Sequence, residues 1–171
     1  MNRVKYGAHF FLPSVQQQLR AVIGNQYGSL AQMETFYMTN RCPQKKALNR
    51  GAWMRLEKWV IKAAEQKDHI FVIAGPIFGT NTEHIPKGPE RGIELPEAFY
   101  MILVDASREW LDRPTIKTLA YRFPQDTARD ADFMEREPFG VSINEIEAAT
   151  QLDFFPDFAP LFPIGRNAKT A

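Results

Sequence analysis

The stretch Glu34-Thr-Phe-Tyr-Met-Thr-Asn40-Arg-Cys-Pro-Gln44-Lys-Lys-Ala-Leu-Asn49-Arg-Gly-Ala-Trp53-Met-Arg-Leu-Glu57 reads as a strand, a polar loop and the start of a helix. Glu34 to Met38 mixes aromatic and β-favouring residues. Leu48, Trp53, Leu56, Val60, Ala63 and Ala64 recur at helical spacing and predict a helix over 49–67. Asn40, Gln44 and Asn49 then lie on or near the connection between two rigid elements. Asn49, Trp53 and Glu57 fall in an i, i+4, i+8 row, which puts the Asn49 amide and the Glu57 carboxylate on one side of a regular helix. An amide oxygen and a carboxylate are hard donors suited to a hydrated Mg²⁺, and no soft ligand set accompanies them. The ordinary alternative for the same residues is an Asn that caps the helix and a Glu that is solvated.

Outward from this stretch, Ile70 to Ala74 reads as a buried strand ended by Gly75-Pro76, a pair that usually breaks structure. The polar segment from Phe78 to Glu94 is too long for a plain connector and is expected to be mobile or to face substrate. Strands follow at 100–105 and 116–122. A charged, exposed segment covers 126–137, and Ser142 with Glu145 forms a capping-box pattern that starts a helix through Ala149. Phe154, Phe155, Phe158 and Phe162, spaced by prolines, are expected to pack a nonhelical tail on the sheet.

Composition sets the outer limits. The 171 residues and 44% hydrophobic content suit one domain with a real core. A net charge of +1 argues against nucleic-acid binding driven by overall charge. A local basic cluster does exist: Arg41, Lys45, Lys46, Arg50, Arg55, Lys58 and Lys62 lie beside the polar loop. It suits phosphate tracking and, equally, a solvated helix face. The single cysteine, Cys42, excludes an internal disulfide. No apolar run approaches the ~20 residues of a membrane helix, so no membrane partner is expected.

Taken together, Thr35-Phe-Tyr-Met-Thr-Asn40 with Pro43-Gln44, Leu48-Asn49-Arg-Gly-Ala-Trp53 with Leu56-Glu57, and Val72-Ile-Ala-Gly75-Pro-Ile-Phe78 resemble the DNA/RNA non-specific endonuclease family of the ββα-metal superfamily. Leu95-Pro96 with Phe99-Tyr100, and the C-terminal Glu145, Glu147, Thr150, Leu152 and Phe154-Phe-Pro156, extend the resemblance in the same order. It covers roughly residues 24 to 160. The resemblance implies an α+β domain with a central, mostly antiparallel sheet and a long metal-site helix. The expected divisions are a divergent or truncated segment 1–23, the endonuclease-like domain 24–163 and a tail 164–171.

Function follows from the same resemblance. It implies a Mg²⁺-dependent endonuclease hydrolysing DNA and RNA phosphodiester bonds, with one Mg²⁺ that Mn²⁺ can replace. Asn49 would bind the ion directly and Glu57 through water. Asn40 and Glu57 are the candidate catalytic residues, and Gln44, Arg50, Arg41 and Lys45 the candidate substrate contacts. DNA and RNA are the implied partners and a homodimer is allowed. Relatives are often exported or organellar, which leaves the compartment of this chain open.

Two departures point to a truncated or impaired enzyme. The family's Asp-Arg-Gly-His motif, whose His is the general base, occurs nowhere in the chain. Its window reads Leu12-Pro-Ser-Val-Gln16-Gln-Gln-Leu-Arg20. His9, in Gly7-Ala-His9, is the nearest candidate base and otherwise an ordinary histidine of an irregular N-terminus. Relatives also carry an Arg one turn beyond Glu57, where this chain has Ile61. The alternative function is therefore a noncatalytic nucleic-acid-binding or protein-interaction relative that keeps the metal loop.

Overall fold

The computed structural model describes residues 3–6, 42–66, 69–80, 83–88, 91–105, 117–134 and 136–154. A four-stranded sheet has the order β1-β2-β5-β6, built from β1 (Arg3–Tyr6), β2 (His69–Ile77), β5 (Ala98–Asp105) and β6 (Lys117–Pro124). β1 runs parallel to β2, while β2–β5 and β5–β6 are antiparallel. The fold is α+β with a mostly antiparallel sheet, as the sequence implies. The strand expected at Glu34 to Met38 lies outside the described residues.

Helices cover both faces of this sheet. α1 (Met54–Gln66) contains no Gly or Pro, and it buries Leu56, Val60 and Ala64. With Trp53 and Leu48 these residues pack on Ile70, Val72, Phe99, Met101, Leu103 and Phe123. α2 (Ile143–Thr150) buries Ile143 and Ile146 against Tyr100, Ile102, Val104 and Ala120 on the other face. Successive residues of β5 therefore enter two different cores, which is why the strand is apolar along nearly its whole length. Each fully buried side chain of Leu or Ile size contributes about 1.5–3 kcal/mol to this packing.

Several boundaries differ from the expectations. α1 is shorter than the predicted helix. A helical turn at Lys46–Leu48 and a π-helical turn at Asn49–Trp53 precede it, with Gly51 at φ −114°, ψ −118° breaking helical geometry. β2 runs through Gly75-Pro76 to Ile77 instead of stopping at Ala74. Among the described residues the β1 ladder reaches Val72, while the β5 ladder continues through Pro76, which pairs with Phe99. The N-terminus, expected as irregular, contributes β1. Within the long segment after β2, β3 (Glu83–His84) pairs with β4 (Glu94–Leu95) in a small second sheet. Gly88 and Gly92, at φ +91° and +86°, make the turns between them.

The C-terminal half follows its local signals closely. Ser142 Oγ accepts from Glu145 N–H at 3.2 Å, while Glu145 Oε2 accepts from Ser142 N–H at 2.7 Å, completing the capping box. Gln151, at φ 57°, ends α2 one residue later than expected. Phe154 packs on Tyr100 with ring centroids 5.4 Å apart, and the later tail phenylalanines lie outside the described residues. The charged segment after β6 exposes Asp126, Arg129, Asp130 and Asp132 but buries Thr127 and Phe133, so it is less solvated than its composition suggests.

Candidate metal centre

The loop Cys42–Lys45, the kinked turn and the first turn of α1 bring the polar residues together. Leu48 and Ala52, fully buried, anchor the turn in the core. Gly51 lets it approach the segment after β6: a Cβ there would lie 2.5 Å from the Arg129 carbonyl oxygen. Arg55 ties the same junction by donating to the carbonyls of Arg129 at 2.8 Å and Ala131 at 2.5 Å.

Asn49 is buried and has αR backbone angles, so it does not act as the cap of α1. Its Nδ2 donates to Gln44 Oε1 at 2.8 Å, which commits the nitrogen and fixes the amide plane. The amide oxygen is the atom with affinity for a cation. Gln44 Nε2 is buried without a hydrogen-bond partner.

Glu57 is 8% exposed, far from the solvated Glu of the ordinary reading. Trp53 Nε1 donates to Glu57 Oε1 at 3.0 Å, and Oε2 is buried with no hydrogen-bond partner among the described residues. Burial pushes the Glu57 carboxyl up to about 8, and the Trp53 bond only partly opposes that shift. The i, i+4 relation between Trp53 and Glu57 is realised as a bond, whereas the π-helical turn interrupts the regular row that would extend it back to Asn49.

The remaining candidates separate into distinct settings. Lys45 Nζ is paired with Glu83 at 2.9 Å and Asp126 at 2.8 Å, which raises its pKa, Asp126 contributing most. Arg50 is exposed at the kink. Arg55 is spent on backbone carbonyls, so the basic cluster is not one uniform phosphate-facing patch. Lys46, Lys58 and Lys62 are exposed. Asn40, Arg41 and His9 lie outside the described residues.

These donors fit a hard, hydrated cation. An orphaned carboxylate oxygen is costly in a protein interior unless a cation or water meets it, and the Asn49 amide oxygen is a second hard donor. Among the described residues no group of three or more His, Cys, Asp or Glu gathers for a metal. Few protein oxygens and retained water is the pattern Mg²⁺ prefers. Cys42 is buried, and burial pushes its thiol up to about 11.

Two parts of the arrangement have no local signal in the sequence. The Trp53 indole bond is one, since Trp53 reads simply as core. The other is Gln125, whose side chain bonds the Cys42–Lys45 loop across 80 and 82 positions of chain.

The polar residues sit on a mixed α+β fold with a mostly antiparallel sheet, and comparison with known proteins gives the family. The DNA/RNA non-specific endonuclease family model matches residues 23–160, and the chain belongs to that family. It is 30% identical over 118 residues to the Serratia marcescens protein "Nuclease", covering 68% of this chain and 41% of that protein. It is 29% identical over 147 residues to human mitochondrial Endonuclease G, covering 81% of this chain and 47% of that protein. A solved EndoG/EndoGI complex superposes with a TM-score of 0.59 at 23% identity, over 76% of this chain and 54% of that one, a likeness of fold. The chain thus spans less than half the length of these two curated relatives.

Proposed function

We propose that this chain carries the metal-binding part of a Mg²⁺-dependent nuclease acting on DNA and RNA phosphodiesters. The observation that carries the proposal is the buried Glu57 carboxyl, whose Oε2 has no partner among the described residues, one helical turn from Trp53 on the helix that Asn49 enters. Asn49 is the direct protein ligand and Glu57 holds the ion through water. Mn²⁺ substitutes for Mg²⁺.

A bound divalent cation supplies charge stabilisation for the phosphate and the leaving oxygen. The protein does the rest. Gln44 holds the Asn49 amide so that its oxygen is turned away from Gln44. Burial holds the Glu57 carboxyl up at about 8, and a cation held beside it would favour the ionised form. Arg50 is the primary phosphate contact among the described residues, because Lys45 must leave Glu83 and Asp126 before it meets phosphate. Asn40 and Arg41 keep the roles that the family resemblance implies.

Proton removal from the attacking water is the weak step. The chain contains no Asp-Arg-Gly-His, and a positioned general base contributes ~10²–10⁴-fold. Plasmid DNA and RNA incubated with the purified chain and increasing Mg²⁺ test the proposal. Metal-dependent cleavage at least ~10²-fold slower than by an intact relative is expected. Comparable rates would overturn the impairment, and His9→Ala would then show whether His9 is the base. Retention of nucleic acid on a filter with no cleavage at any Mg²⁺ would favour the noncatalytic alternative.

A further inference from the structure

Gln125 follows β6 directly and is 4% exposed, a place where a polar side chain must be hydrogen-bonded to be tolerated. Its Oε1 accepts from Lys45 N–H at 2.8 Å, and its Nε2 donates to the Pro43 carbonyl at 2.9 Å. One side-chain amide thus grips the backbone on both sides of Gln44. Gln44 in turn receives the Asn49 Nδ2 bond at 2.8 Å.

The grip comes from a fixed base. Gln125 N–H donates to the Glu97 carbonyl at 2.9 Å, beside the start of β5. Behind it, Thr127 closes the turn on the Pro124 carbonyl with its N–H at 3.0 Å and its Oγ1 at 2.6 Å. Arg55 then binds the Arg129 and Ala131 carbonyls. The strand end cannot shift without breaking several of these bonds, whereas the Cys42–Lys45 loop has no regular structure of its own.

We propose that Gln125 is a positioning residue for the cation site, setting the Pro43–Lys45 backbone so that Gln44 presents Asn49 in register with Glu57. The inference rests on the metal-centre reading above. It adds a residue to that site from a distant part of the chain, acting through the loop and not by touching the ion.

Mn²⁺ binding to the full chain, followed by electron paramagnetic resonance, provides the test, with a urea melt of each protein run in parallel. Gln125→Met keeps length and volume but removes both loop bonds, and Mn²⁺ binding is expected to weaken about tenfold or more, the range for residues that orient metal ligands. Ser142→Ala breaks the capping box of α2 on the opposite face of the sheet, and should lower the melt while leaving Mn²⁺ affinity unchanged. Wild-type affinity in a destabilised Gln125→Met would overturn the inference and reduce Gln125 to a packing residue. Should Gln125→Met fail to fold, Gln125→Glu decides: it retains the acceptor for Lys45 and loses the donor to Pro43, so weakened Mn²⁺ binding supports the role and unchanged binding overturns it. Absence of Mn²⁺ binding to the wild-type chain would overturn the metal centre itself, an outcome distinct from failure of the Gln125 variants alone.

Discussion

Trp53 Nε1 donates to Glu57 Oε1 at 3.0 Å, and the second carboxyl oxygen, Oε2, is buried without a partner among the described residues. The indole ring is itself locked edge-on against Phe99 at 5.7 Å and Phe123 at 6.1 Å. The core therefore orients one oxygen of the carboxyl and leaves the other open to water or a cation.

Glu57 makes the metal-free protein pH-sensitive. Its folded pKa, about 8, lies above the ordinary value of 4.5. The native state thus holds a proton that the unfolded state has lost, and stability falls as pH rises from about 5 to 8. Urea melts in chelator should show this decline, and Glu57→Gln should flatten it. A wild-type stability that rises steadily over the same range would contradict the buried, protonated carboxyl.

Trp53→Phe keeps most of the aromatic packing and removes the indole hydrogen bond to Glu57. The expected loss is about 1–3 kcal/mol, the cost of leaving a buried polar group unmet. It should grow with pH as the carboxyl is forced to ionise. Unfolding free energies at two pH values, one on each side of the transition, check both parts.

Gly51→Ala tests the junction between the kinked turn and the segment after β6. The added Cβ would lie 2.5 Å from the Arg129 carbonyl oxygen and 2.8 Å from its Cα, so backbone must move. Overpacking of this kind costs about 1–3 kcal/mol. A melt unchanged from wild type would show that the segment yields freely.

Much of the fold is legible in the sequence because its signals are local. The apolar run of β5, the spacing of Leu56, Val60 and Ala64, and the Ser142–Glu145 box each declare an element within a few residues. The misplacements have equally local causes. Gly75-Pro76 reads as a breaker, yet the β2–β5 ladder runs on through Pro76 and Phe99, and Gly51 in Asn49–Trp53 conceals a kink under helical periodicity. Asn49 and Glu57 are legible as hard donors through the family resemblance. Their burial, the Trp53 bond and the Gln125 clamp are not, since each depends on tertiary contacts that no window of sequence contains.

Calorimetric titration of Mg²⁺ into the wild-type chain and into Asn49→Ala tests the central claim most directly. The account predicts one saturable Mg²⁺ site in the wild type, lost in Asn49→Ala and weakened in Glu57→Ala. Mg²⁺ binding of unchanged affinity in Asn49→Ala would contradict it.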